Sequence, residues 1–92
     1  MIRSFLDKKA AALWEGKSVP AFSSFRAQAE RKLAILEAAT SLDNLAGLPG
    51  NRLEALKGNR KGQYSIRIND QWRVCFCFRD GDAYDVEIVD YH

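Results

Sequence analysis

The order of its periodicities predicts an α+β fold, with two or three N-terminal helices packed on a four- to five-stranded, mainly antiparallel sheet. Three observations carry this. Residues 23–40 repeat their apolar side chains at helical spacing, residues 63–89 alternate them with period two, and only short turn signals separate the alternating runs. Helices first and a meander second place the helices on one sheet face.

Met1 to Phe5 is either a short edge strand or an extended lead-in. Asp7 is a suitable N-cap for a helix from Lys8 to Glu15, which Gly16 stops. The linker Lys17-Ser18-Val19-Pro20 breaks regular structure. A second helix is expected from Ser23 or Ser24 to Thr40, with Phe25, Ala29, Leu33, Leu36 and Ala39 as its buried stripe. A short helical turn at Leu42 to Ala46 precedes the loop marked by Gly47, Pro49 and Gly50. Arg52 to Leu56 is a candidate additional strand. Tyr64, Ile66 and Ile68 then alternate with polar residues, as do Trp72, Val74, Phe76 and Phe78. Asn69-Asp70 and Asp80-Gly81-Asp82 are the expected hairpin turns, and Ala83 to Val89 is the last strand.

Composition bounds the function. Ninety-two residues suit one domain, and 47% hydrophobic with 28% charged residues is ordinary globular usage rather than disorder. No apolar run approaches the roughly 20 residues that span a bilayer. Met1 to Lys9 lacks the apolar region of a secretory signal, so a cytoplasmic location without a membrane partner is expected. Cys75 and Cys77 sit two apart on one strand, too close for a sensible disulfide loop. Two thiols and one distant histidine fall short of a zinc set, so neither metal nor other cofactor is expected. There is no Gly-rich phosphate loop and no nucleophile elbow, which argues against a small-molecule enzyme.

Charge is distributed unevenly. Residues 57–73 carry Lys57, Arg60, Lys61, Arg67 and Arg73 against the single acid Asp70, while residues 80–90 carry five acids and no base. A basic hairpin beside an acidic strand is either mutual neutralisation or a phosphate cradle beside a carboxylate. Alternation puts Arg67 and Arg73 on the outer sheet face, as solvated charges or as bidentate phosphate ligands. The chain's one histidine, His92, follows Asp90 and Tyr91 at the end of the last strand. Such a tripeptide is either a solvated end or a proton-transfer group beside its carboxylate, since imidazole titrates near neutrality.

Three runs bear on these alternatives by resemblance. Arg52-Leu53-Glu54-Ala55-Leu56-Lys57-Gly58-Asn59-Arg60, Gln63-Tyr64-Ser65-Ile66-Arg67-Ile68-Asn69-Asp70-Gln71-Trp72-Arg73 and Val89-Asp90-Tyr91-His92 together resemble the HigB toxins of the RelE superfamily, in particular GraT-like members. The opening Met1 to Phe5 and the length match as well, so the resemblance covers nearly the whole of residues 1–92 as a single toxin domain. It implies a RelE-like fold and a ribosome-dependent endoribonuclease that cuts A-site mRNA and blocks translation. It also implies a HigA-type helix-turn-helix antitoxin, with operator DNA bound through the toxin–antitoxin complex. Carried over one by one, the catalytic positions are Lys57, Arg73, Asp90, Tyr91 and His92, with Arg60, Lys61 and Arg67 as RNA contacts. Several members have a histidine where this chain has Glu54, so Glu54 is either a replacement base, if buried, or a surface residue that leaves catalysis weaker. That departure keeps a second reading open, a weak or inactive toxin fold acting as antitoxin partner and co-repressor.

Overall fold

A computed structural model describes residues 1–90 of the chain, and Tyr91 and His92 lie outside the described residues. Helix α1 runs Lys8–Trp14; Asp7 caps it by accepting from the Lys9 amide at 2.9 Å, and Gly16 turns the chain away at φ +87°. The long second helix starts later than its apolar stripe suggests. Pro20–Phe25 is a 3₁₀ helix opened by its proline, and α2 covers Arg26–Ala38. In a 3₁₀ helix residues three apart eclipse, which puts Phe22 and Phe25 on one side, both buried, 5.6 Å apart. At its other end α2 stops at Ala38, because Asn44 Oδ1 takes the Thr40 amide and Ser41 caps α3 (Leu42–Ala46).

The sheet comprises β1 (Glu54–Ala55), β2 (Tyr64–Arg67), β3 (Trp72–Arg79) and β4 (Asp82–Asp90), antiparallel and in sequence order. The strand expected over residues 52–56 shrinks to two residues, since the 3₁₀ turn Pro49–Asn51 and the left-handed Arg52 (φ +44°) precede it. Between β2 and β3 the register pairs Arg67 with Arg73, so the loop is longer than a two-residue turn. Asn69 Oδ1 holds it by accepting from the amides of Gln71 and Trp72. Asp80-Gly81, both at positive φ, forms the tight turn between β3 and β4.

A bulge interrupts β4: Cys75 pairs with Glu87 and Cys77 with Tyr84, leaving Asp85 and Val86 opposite Phe76. Asp85 takes φ +53°, and its amide donates to Ser4 Oγ at 2.9 Å. Here the lead-in finds its place. Ile2 and Phe5 bridge to Ala83 and Val86 in parallel sense, adding a short pairing segment to β4.

The helix-facing side of the sheet supplies Ile66, Val74, Phe76, Val86 and Ile88 to a core with Leu13, Leu33, Leu36 and Leu45. Of the predicted row on β3, Val74 and Phe76 are fully buried, while Trp72 and Phe78 at its ends are half-buried. Among the described residues no helix is long and apolar enough to cross a membrane.

Candidate functional site on the outer sheet face

Among the described residues, Asn51, Ser65 and Arg73 are the buried polar or charged side chains. Ser65 and Arg73 share the sheet face away from the helices, while Asn51 meets the helix layer through Lys32 and the Leu45 carbonyl. Arg73 is 6% exposed, which excludes the solvated one of its two expected placements on the outer face. Arg73 Nε donates to Ser65 Oγ at 2.8 Å, and Nη2 donates to the Arg52 carbonyl at 2.5 Å and the Ser65 carbonyl at 3.3 Å. Its Nη1 faces Glu54 Oε1 at 3.6 Å. The guanidinium is thus gripped along one edge by neutral oxygens, and the other edge meets a carboxylate that is about half-exposed.

Register gathers several predicted residues around it. Arg67 stands opposite Arg73 and is ion-paired to Asp70. The next row is Glu54, Ser65, Cys75 and Glu87. Arg60 reaches over that row from its loop, donating to Gln63 Oε1 at 3.0 Å and Glu87 Oε1 at 2.5 Å. Beneath it Cys75 is fully buried, and burial pushes its thiol up to about 11; Glu87 adds to the rise, while Arg60 and Arg73 oppose it. Lys57 and Lys61 are exposed at either end of the 3₁₀ turn Gly58–Arg60. β1 carries the chain toward them and away from the Arg73 row.

Asp90 occupies the row of Trp72, not that of Arg73, whose β4 partner is Val89. Its carboxylate accepts from Gln71 Nε2 at 2.9 Å. The roles expected of Tyr91 and His92 lie outside the described residues. Glu54 is exposed, so the burial that a replacement base needs is not provided. Sequence reasoning missed Ser65, Asn51 and the Arg52 carbonyl. Ser65 was legible in part, since it is the polar residue two before Arg67 on the same face. The other two depend on the left-handed turn at Arg52, which has no glycine to mark it.

The Ser65 hydroxyl and the backbone carbonyls of Ser65 and Arg52 fix the orientation of the guanidinium, whose remaining edge faces the Glu54 carboxylate. Residues 3–92 match the family described as the RelE-like toxin of the type II toxin–antitoxin system HigB. Endoribonuclease HigB of Proteus vulgaris is 36% identical over 95 residues that span all of both proteins. Toxin HigB-1 of Vibrio cholerae serotype O1 is 53% identical over 53 residues, 58% of this chain and 56% of that one. The fold is that of E. coli YafQ (TM-score 0.62, 12% identity, 99% of this chain and 94% of that one). It also matches a chain of the YoeB–YefM toxin–antitoxin complex from Staphylococcus aureus (TM-score 0.60, 24% identity, 100% and 98%).

Proposed function

The chain belongs to the family of RelE-like HigB toxins of type II toxin–antitoxin systems, and from that premise we propose that it is a ribosome-dependent endoribonuclease that cuts mRNA in the A site. The observation that carries the reading is the clamped guanidinium of Arg73, held rigidly on a sheet face with one edge toward an exchangeable carboxylate. A preorganised cation of this kind stabilises charge that develops on a phosphorane without reorganising when it does so.

RNA brings its own nucleophile. The 2′-oxygen attacks the adjacent phosphorus as a base takes its proton, the P–O5′ bond breaks, and an acid protonates the leaving 5′-oxygen. The products are a 2′,3′-cyclic phosphate and a 5′-hydroxyl, and no metal is needed for the balance. Arg73 holds the phosphate, with Lys57 as a mobile second charge. His92 serves in proton transfer, Asp90 orients it, and Tyr91 stacks on a base. Arg60, Lys61 and Arg67 attract the RNA backbone. The P. vulgaris relative named as an endoribonuclease supports the activity. The S. aureus complex supports an antitoxin partner, and the family resemblance makes that partner HigA type, with operator DNA bound through the pair.

The test is primer extension on a defined mRNA in a purified translation system, with wild type, Arg73→Lys and His92→Ala, with and without ribosomes. Cuts that need ribosomes, end in cyclic phosphate and vanish in His92→Ala establish the reading. If wild type makes no cuts, a toxin fold serving as antitoxin partner and co-repressor replaces it, and Glu54 lying against Arg73 is the feature that favours this alternative.

A further inference from the structure

Lys32 has no task in the mechanism above. It lies half-buried on α2, and its ammonium donates to Asn51 Oδ1 at 2.7 Å. Asn51 is fully buried, and its Nδ2 donates to the Leu45 carbonyl at 3.0 Å, which fixes the end of the amide that meets Lys32. The very next residue, Arg52, offers its carbonyl to Arg73. Consecutive Cα atoms are about 3.8 Å apart, so a single backbone step positions two cations, one from the helix layer and one from the sheet. Arg67, opposite Arg73, belongs to the same cluster.

The cluster lacks counter-charge where Lys32 sits. Among the described residues no carboxylate pairs with Lys32, whereas Arg67 has Asp70 and Arg73 has Glu54. Burial first, then repulsion from Arg31 and Arg67, holds the Lys32 pKa below the ordinary lysine value. A neutral donor would satisfy Asn51 without that repulsion. An anion beside Lys32 would relieve it, and a polyanionic strand held at Arg73 carries further phosphates along its backbone.

We propose that Lys32, braced on Asn51 beside Arg67, is a second anchoring point for the phosphate backbone of single-stranded RNA, adjacent to the clamp at Arg73. This rests on the ribonuclease reading and extends its substrate track around the sheet end onto α2.

The test is fluorescence anisotropy of a labelled single-stranded RNA, 2′-O-methylated so that binding is read without cleavage, titrated with the toxin across a series of potassium chloride concentrations. Lys32→Gln keeps a donor for Asn51 and removes the charge. It should bind several-fold more weakly at low salt, with a slope of log affinity against log salt smaller by about 0.7, one phosphate contact on a single strand. Lys32→Arg should retain the wild-type slope. An unchanged slope in Lys32→Gln, or no RNA binding by wild type, overturns the proposal. Should Lys32→Gln fail to fold, wild type decides: RNA suppresses acylation of the Lys32 amine by a succinimidyl ester if the site exists, and leaves it unchanged otherwise. Absence of cleavage in the translation assay alongside a preserved Lys32 effect would remove the nuclease reading and leave the phosphate site.

Discussion

Arg73 illustrates how far a single residue's surroundings can diverge from its alternation pattern. Its position on β3 points it outward, yet Ser65, Arg52 and Glu54 enclose it. Truncation therefore removes a structural tie as well as a charge. Arg73→Ala leaves Ser65 and the Arg52 carbonyl short of a donor, at a cost of about 1–3 kcal/mol, and its melting temperature should fall by several degrees. The phosphate role is separated by Arg73→Lys, which keeps the charge but not the fork; we expect a larger loss in cleavage rate than in stability, read by primer extension beside a thermal melt. Glu54 gives the complementary prediction. A general base removed by Glu54→Gln would lower turnover by roughly 10²–10⁴-fold. As an exposed competitor for Arg73 it should instead leave turnover nearly intact and tighten RNA binding, which anisotropy and single-turnover cleavage distinguish. Cys75 is a third case. With its thiol pushed up to about 11, it should resist alkylation in the folded protein near pH 8, while half-buried Cys77 reacts; peptide mass mapping of the alkylated sites would show the order, and equal labelling would contradict it.

At the scale of elements, the hairpin meander and the start of α1 were legible because each rests on local chemistry, Asp7 as a cap and Asp80-Gly81 at positive φ, whereas the tight turn expected at Asn69-Asp70 is a longer loop held by the Asn69 side chain. The 3₁₀ segment was not. Its residues continue the apolar stripe of α2, and what selects 3₁₀ over α is tertiary: Phe22 and Phe25 eclipse so that Trp72 packs against both, at 5.7 Å edge-on and 5.0 Å stacked. Trp72→Ala should therefore cost about 2–4 kcal/mol, at or below the range for fully buried tryptophan because Trp72 is only half-buried. A thermal melt lowered by ten degrees or more would agree; a shift of a degree or two would mean that the aromatic cluster is not holding the 3₁₀ segment to the sheet. The bulge in β4 escaped sequence reading for a similar reason. Asp85 carries no glycine-like signal, and its left-handed backbone is stabilised from outside by Ser4.

Across the whole molecule, the N-terminal segment ties the last hairpin to the rest. The Met1 ammonium and the Arg3 guanidinium both reach Asp82, at 3.2 and 3.1 Å, and the Ile2 amide donates to Glu37 on α2. The hydrogen bond from Arg3, aided by the terminal ammonium, holds the Asp82 carboxyl below the usual aspartate value. A depressed folded-state pKa stabilises above the unfolded value, about 3.9, and that contribution is lost as pH falls through the folded one. Asp82→Asn should accordingly melt below wild type at neutral pH, and the two curves should converge as the pH drops below about 4; a gap that persisted in acid would locate the effect elsewhere. The sequence by itself determined the α+β order, the helix stripe, the strand alternation and the family, because these depend on periodicity and on contiguous motifs. Only the tertiary structure decided that Arg73 is clamped rather than solvated, that Glu54 lies against it, and that Asn51 and Arg52 hold Lys32 and Arg73 one step apart. Those are contacts between residues up to 21 positions apart, brought together by a left-handed turn whose energy is repaid by packing that no local stretch of sequence contains.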